Sequence, residues 1–229
     1  MKAGAVQVAM SENEILDRGA VIGVSTWSDA LDELGIKGTV QGIARQSGSG
    51  RMIGFAVTAR ELTGTLGDFE KADFAVGQLI EATGPGKVLM VDMSGAPIST
   101  MGGLAALAAK NRQATAVVID GACRDLDEIR KTRLWLSSRW VAPTTGKTRV
   151  KLLPIGCDIT IGGISVSQED LVIGDDTGIV VVPRAHVEEV LTKAETIIAI
   201  DAQVEERIRA GESFGSAAAA AGYIPARKT

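Results

Sequence analysis

Arg124 and Asp125 close an apolar run, Val117-Val118-Ile119-Asp120-Gly121-Ala122-Cys123. Such a run reads as a buried strand, and the loop beyond a rigid strand end is free to present side chains. Arg carries a planar, permanently charged fork that suits a carboxylate or an enolate oxygen. Asp offers a hard oxygen ligand suited to Mg²⁺ or Mn²⁺. Side by side, the two could hold an anionic substrate and a divalent metal at one point. A second reading stays open beside this one: a surface ion pair in which Asp125 caps a helix starting at Leu126. Asp120, directly before Gly121, reads as a turn former in preference to a supporting carboxylate. Asp92, at the end of another apolar run, would point into the same place if the two strands are neighbours.

About twenty residues upstream, Met101-Gly102-Gly103-Leu104-Ala105 opens a helical pattern. A helix start exposes unpaired backbone N–H groups and partial positive charge, which favours a carboxylate or phosphate. Glycine there lets a ligand approach the backbone closely. An ordinary loop-to-helix turn would have the same sequence, so the glycine pair alone decides nothing.

Other motifs offer less. Gly84-Pro85-Gly86-Lys87 lacks the spacing of a phosphate loop and precedes a strand pattern, and no GxGxxG is present. His186, the single histidine, reads as a solvated residue at a helix start; alone it cannot build a typical zinc site or a Ser–His pair. Trp135 and Trp140 flank a basic stretch and read as core packing. Asp175-Asp176 reads as a hairpin turn. Cys123 and Cys157 form neither a CxxC nor a disulfide framework and fit reduced thiols.

The elements that must position these residues come from an ordinary globular composition. The 229 residues are 45% hydrophobic and 23% charged, with 3% aromatic and 27 glycines, so Val, Ile, Leu and Ala must build the core. A formal charge of −4 argues against a broad nucleic-acid surface, and the basic residues between Arg124 and Lys151 read as a local anion-attracting face. No apolar run is long enough to span a membrane, and no signal peptide is evident; both point to a cytoplasmic protein.

Helical patterns are expected at Glu12–Arg18, at 26–34 with Ser or Asp as N-cap, at Ala72–Ala82, Gly103–Asn111 and Asp127–Thr132, at His186–Ala210, and around Ala217–Ala221. Strands are expected at Met52–Ala59, Lys87–Asp92, Ala116–Ile119, Lys151–Leu153, Asp158–Ile161, Ile164–Val166, Leu171–Gly174 and Gly178–Val182. Helices alternating with strands, then clustered strands, predict a single α/β domain with a mixed sheet. It divides into an N-terminal segment (1–24), a core (25–183) and a helical extension (184–229). The long last helix is read as extending from the body to clasp a neighbour.

These residues carry a resemblance. Ser28-Asp29-Ala30-Leu31, Gly54-Phe55-Ala56-Val57-Thr58, Val88–Asp92, Gly102-Gly103, Val118–Asp125 and Asp170–Gly178 together resemble the RraA-like family, which includes class II 4-hydroxy-4-methyl-2-oxoglutarate aldolases and the ribonuclease E inhibitor. The resemblance covers roughly residues 25–211, and Ile-Asp-Gly-x-x-Arg-Asp is its most specific part. It implies a compact αβ sandwich of the swivelling β/β/α type, assembled as a homotrimer or a dimer of trimers. It further implies a metal-dependent lyase acting on a small 2-oxo acid. The amides of Gly102, Gly103, Leu104 and Ala105 would hold the pyruvate carboxylate, Arg124 the keto or enolate oxygen, and Asp125 the Mg²⁺ or Mn²⁺. A carboxylate from a neighbouring subunit, Asp201 or else Glu205, would approach the site. One departure stands out: where the aldolases commonly carry an acid directly after the first glycine, this chain has Gly103. The same resemblance carries a rival, a non-catalytic regulator of a ribonuclease or another partner. A methyltransferase reading meets the absence of a Gly-rich nucleotide loop.

Overall fold

The computed structural model describes residues 10–223. Among the described residues, eleven strands and seven α-helices alternate through the middle and then give way to hairpins. Four central strands run parallel: β2 (Met52–Thr63), β3 (Lys87–Asp92), β5 (Ala116–Cys123) and β6 (Leu136–Val141). Parallel neighbours need crossover connections. These are supplied by α3 (Val76–Ala82), α4 (Gly103–Asn111) and α5 (Leu126–Thr132). The strand β1 (Ala44–Ser47) pairs antiparallel with β6, while β10 (Leu171–Gly174) and β11 (Ile179–Val182) extend the other side. The order is therefore β1-β6-β5-β3-β2-β10-β11, with short β4 (Ser99–Met101) beside β5 and β7 (Val150–Leu152) beside β2.

The alternation of side chains decides what each face buries. On β5, Val117 and Ile119 pack with Leu79, Ala106 and Ile129 of α3, α4 and α5, whereas Ala116 and Val118 pack with Ile159, Ile161 and Val166. Those last residues belong to the hairpin β8 (Ile159–Ile161) and β9 (Ile164–Val166), which lies over the face opposite the helices. At the far end of the sheet, Leu171, Ile173, Val180 and Val182 bury against α1 (Glu12–Gly19), α2 (Val24–Glu33) and the first half of α6 (Val187–Arg209). A strand buried on both faces has no polar face to show, which is why β5 reads as a continuous apolar run. The chain also closes the sheet on itself. Residues 38–40 hydrogen-bond to β11 (Val40 N–H to Ile179 O at 3.0 Å, Val181 N–H to Gly38 O at 2.8 Å), and the same segment continues into β1 on β6.

Several expectations change. The second helix begins at Val24, without a cap from Ser28 or Asp29; Gly23 is its N-cap, and Asp175 Oδ2 accepts the Val24 N–H at 3.1 Å. Asp175 thus does more than shape the β10–β11 turn. The Ala72–Ala82 helix is two pieces, a 3₁₀ turn at Lys71–Phe74 and α3, broken at Ala75 with φ of +30°. The strand expected at Ala116–Ile119 runs four residues further, and β2 reaches Thr63 instead of ending at Ala59. The strands β1, β4 and β6 lie where none was expected. Trp135 is buried as expected, but Trp140 is half exposed and donates from Nε1 to Gly95 O at 2.8 Å. The helix α6 lies on its own chain, burying Val187, Val190, Leu191 and Ala194, and α7 (Phe214–Ala221) folds back on it. Among the described residues no helix is long and apolar enough to cross a membrane.

Candidate functional site

The site is assembled where one strand replaces another beside β5. After Asp92, β3 leaves the sheet through a turn with Ser94 and Gly95 at positive φ, and β4 takes its place alongside the last residues of β5. Met101 sits opposite Cys123, and Arg124 N–H donates to Met101 O at 2.9 Å. Because α4 starts two residues after β4, its N-terminus is delivered directly beside Arg124 and Asp125.

Asp125 takes a left-handed backbone conformation, φ +54°, which ends the strand and turns its carboxylate sideways. It makes no side-chain cap to its own helix α5. Instead Oδ2 accepts the Gly103 N–H at 3.3 Å and lies 3.8 Å from Arg124 Nε. The helix-cap reading of Asp125 is therefore corrected in one respect: the carboxylate serves the N-terminus of α4, satisfying one of the amides that a helix start leaves free. The amides of Leu104 and Ala105 follow in the same first turn. Both glycines are required by space. A Cβ on Gly102 would overlap Asp125 Oδ2 and come within 3.3 Å of Arg124 Cγ and Nε. A Cβ on Gly103 would overlap the carboxylate of Glu128 and come within 2.6 Å of its Cβ. Gly102, Gly103, Arg124 and Asp125 are thus brought together as expected.

Glu128 was not singled out in the sequence. The available signal was its position three residues after Asp125, one turn along α5, where the two side chains share a face. Arg124 and Asp125 are each more than a third exposed, so the site opens at the surface. Leu104, on the outer side of α4, is 83% exposed.

The structure separates other residues from this point. Asp120 and Gly121 are not a turn; both lie within β5. Asp120 is buried, ion-paired through Oδ1 with Arg139 Nε at 2.5 Å, and its Oδ2 accepts the Gly162 N–H at 2.7 Å. That hydrogen bonding holds the guanidinium of Arg139 above its ordinary pKa. Asp92 does not reach Arg124 and Asp125 either. It accepts from Arg60 Nε at 3.2 Å, Ser94 N–H at 2.8 Å and Thr160 N–H at 3.2 Å. The two carboxylates, in register on β3 and β5, line an open cavity of about 680 Å³ with Arg60, Arg139 and Thr160. They also tie the β8–β9 hairpin to the sheet. Within this cavity each carboxylate is balanced by its own arginine, Asp92 by Arg60 and Asp120 by Arg139.

Asp201 is half-buried and faces Asp29; burial, then that neighbouring charge, raises its pKa. Glu205 is exposed and pairs with Arg209 at 2.9 Å. Among the described residues no group of three or more His, Cys, Asp or Glu side chains converges as a metal cluster. Cys123 is buried beside Ser138, and burial pushes its thiol pKa up, so it is a core residue and no nucleophile. His186 is the exposed N-cap residue of α6, near Glu189. Behind β4, Glu61 of β2 is buried, with Oε1 accepting from Thr100 Oγ1 at 2.9 Å and Oε2 unpartnered among the described residues. Burial pushes its pKa up to about 7, against a smaller lowering by the Thr100 hydrogen bond.

Comparison with known proteins gives the family and the fold. Protein DlpA of Legionella pneumophila is 29% identical over 195 residues, covering 83% of this chain and 31% of DlpA, so the chain spans about a third of that relative. A protein of Halalkalibacterium halodurans named "Putative 4-hydroxy-4-methyl-2-oxoglutarate aldolase" is 26% identical over 202 residues, covering 88% of this chain and 91% of its own length. A crystal structure of an uncharacterized protein from Pseudomonas syringae pv. tomato superposes with a TM-score of 0.79 at 27% identity, covering 92% of this chain and 99% of that one. The family model described as RraA-like, Aldolase/RraA, matches residues 24–181, a span that runs from the first residue of α2 into β11 and includes the Gly102–Asp125 segment, and the chain belongs to that family.

Proposed function

We propose that this chain is a divalent-metal-dependent lyase acting on small 2-oxo acids through a pyruvate enolate, by retro-aldol cleavage of a 4-hydroxy-2-oxo acid or decarboxylation of oxaloacetate. The observation that carries the reading is the meeting of a cation, a carboxylate and a helix start: Asp125 Oδ2 accepts the Gly103 amide at 3.3 Å and lies 3.8 Å from Arg124 Nε, at the glycine pair that opens α4. The name of the Halalkalibacterium relative supports a lyase of this class.

Each group has a task. The first-turn amides of Leu104 and Ala105 receive the substrate carboxylate. Arg124 faces the 2-oxo oxygen and stabilises negative charge as it develops there; one such preorganised donor contributes about 3–4 kcal/mol. Asp125, with hard oxygens at the surface, suits an ion such as Mg²⁺ or Mn²⁺, which keeps most of its water and commonly uses one or two carboxylates. When bound, the ion supplies Lewis-acid polarisation of the 2-oxo group. Neither Gly102–Ala105 nor Ile119–Asp125 contains a lysine, and Lys110 between them sits in the last turn of α4, away from the helix start, so these segments offer no Schiff-base nucleophile.

The donor set of one chain is short, and a second copy completes it in this reading. The exposed Leu104 beside the site is the apolar surface such a copy would cover, and the assembly is a homotrimer or a dimer of trimers. Asp201 and Glu205 remain the carboxylates assigned to that neighbour.

The test is deuterium exchange of pyruvate methyl protons followed by NMR, with and without Mg²⁺ or Mn²⁺. Metal-dependent exchange is expected, with a drop of about 10²–10³ in Arg124→Ala and loss in Asp125→Ala together with weakened Mn²⁺ binding. Exchange that ignores the metal, or that survives Asp125→Ala undiminished, overturns the reading.

A further inference from the structure

The strand that delivers the site is fastened to β2 by a buried carboxyl group. Alternation along β2 turns Val57, Ala59 and Glu61 to the helix-covered face, and the first two join its apolar core. Glu61, 2% exposed, therefore ends an apolar row with an ionisable side chain. Its Oε1 accepts from Thr100 Oγ1 at 2.9 Å, while Oε2 is covered and has no partner among the described residues. Thr100 is the middle residue of β4, itself buried, two residues before Gly102. Once β3 has left after Asp92, β2 is paired with β7 and β4 with β5. The Glu61–Thr100 hydrogen bond joins these two pairs across the vacated place.

A carboxyl group in this position is better neutral than charged. An anion with one hydrogen-bond donor and no access to solvent loses most of its solvation. Burial accordingly pushes the Glu61 pKa up to about 7, against a smaller lowering by Thr100. Among the described residues no cation pairs with it. On β2, Arg60 turns to the opposite face and pairs with Asp92 at 3.2 Å. Lys151 of β7 pairs with Asp73 at 3.3 Å, Arg149 donates to Thr145 O at 3.2 Å, and Lys147 is exposed. Beyond β4, Arg124 Nε faces Asp125 at 3.8 Å.

We propose that Glu61 is a positioning residue that makes anion binding at the α4 amides depend on pH: neutral, it holds β4 and the helix start in place; ionised, it opposes the anion. This rests on the lyase reading above, in which those amides receive the substrate carboxylate. Two effects of ionisation act in one direction. A charged Glu61 repels a carboxylate bound just beyond β4, and it draws water toward β4 to solvate itself. By linkage, an anion at the helix start raises the Glu61 pKa further, so binding takes up a proton near neutrality. The sign follows. Affinity is full below the pKa of the free protein, falls as pH rises through it, and levels off once Glu61 ionises in the complex as well. A cation is affected oppositely, so Mg²⁺ or Mn²⁺ alone is not weakened by the rise.

The test uses oxalate, a dianion whose charge is constant across this range, titrated by calorimetry in saturating Mg²⁺. The unaltered protein is expected to bind oxalate about tenfold more weakly at pH 8.5 than at pH 6, with net proton uptake near pH 7, read from buffers of different ionisation enthalpy. Glu61→Gln keeps an acceptor for Thr100 without the charge. Its affinity is expected to stay within about twofold across the range, with no proton uptake. Thr100→Val removes the hydrogen bond that favours the ionised form, so the fall is expected to begin at higher pH. Mn²⁺ affinity without oxalate, read by water-proton relaxation, is expected not to drop over the same range. An affinity for oxalate that is flat with pH, the same fall or proton uptake in Glu61→Gln, an unmoved or lowered midpoint in Thr100→Val, or a parallel drop in Mn²⁺ affinity would each overturn the assignment and leave the lyase reading standing. Failure of the unaltered protein to bind oxalate at any pH is a different result: it removes the substrate-binding role of the α4 amides, and this assignment with it.

Discussion

Carboxylates of this chain do three different jobs, and their surroundings decide which. Asp125 is exposed at a strand end and faces a helix start; Asp120 is buried and tied to Arg139 and the Gly162 amide. Removing the cation from a buried pair leaves an uncompensated charge, so Arg139→Ala should cost about 2–4 kcal/mol in urea unfolding, discounted because Arg139 is itself partly exposed. Glu61 is the third case. Its pKa, lifted by burial from 4.5 to about 7, means that the native state holds a proton which the unfolded chain releases between those values. Stability from this group is therefore lost as pH rises through that window and is constant above it. Glu61→Gln keeps an acceptor for Thr100 and removes the charge. It should match the parent near pH 4.5 and exceed it at pH 8 by up to about 3 kcal/mol. Equal unfolding midpoints for the two proteins at pH 8 would show that Glu61 titrates normally.

Elements explain why some of this was legible in the sequence and some was not. The helix α4 was readable to the residue because Gly102-Gly103 and Asn111 bracket an alanine-rich stretch. The site pair Arg124-Asp125 was readable because an apolar strand ends there. What the sequence concealed was β4. Three residues are too few for an alternating pattern, and its role depends on β3 leaving the sheet at Asp92. The same concealment misassigned Asp120, since a strand that continues through Asp-Gly is stabilised by Arg139 and Gly162, 19 and 42 residues away. Glu128 escaped notice because the volume over Gly103 exists only after α4 and α5 pack. These packing constraints give a direct prediction: Gly102→Ala pushes a methyl group against Asp125 Oδ2, so it should lower Mn²⁺ affinity and metal-dependent exchange together, at least tenfold, with only a modest change in unfolding midpoint.

At the scale of the molecule, one sheet separates two chemistries. Its helix-covered face carries the α4–α5 site at the end of β5, and its other face holds the β8–β9 hairpin through Asp92 and Asp120. The long helix α6, expected to leave the body, spends its first half in the core with α1 and α2, so a neighbour would be met by its outer residues and by the exposed side of α4. The way the sheet is closed narrows how that meeting can occur. The segment 38–47 lies on β11 at one end and on β6 at the other, covering the outer backbone of both. What remains uncovered at that edge is the four-residue β1, and short edge strands are poor templates for strand addition. Among the described residues, another chain therefore meets no long row of free backbone N–H and C=O groups at that edge. Recognition between copies, or of any other protein, falls to side chains, so it can be redirected by point substitution without disturbing a single rung of the sheet.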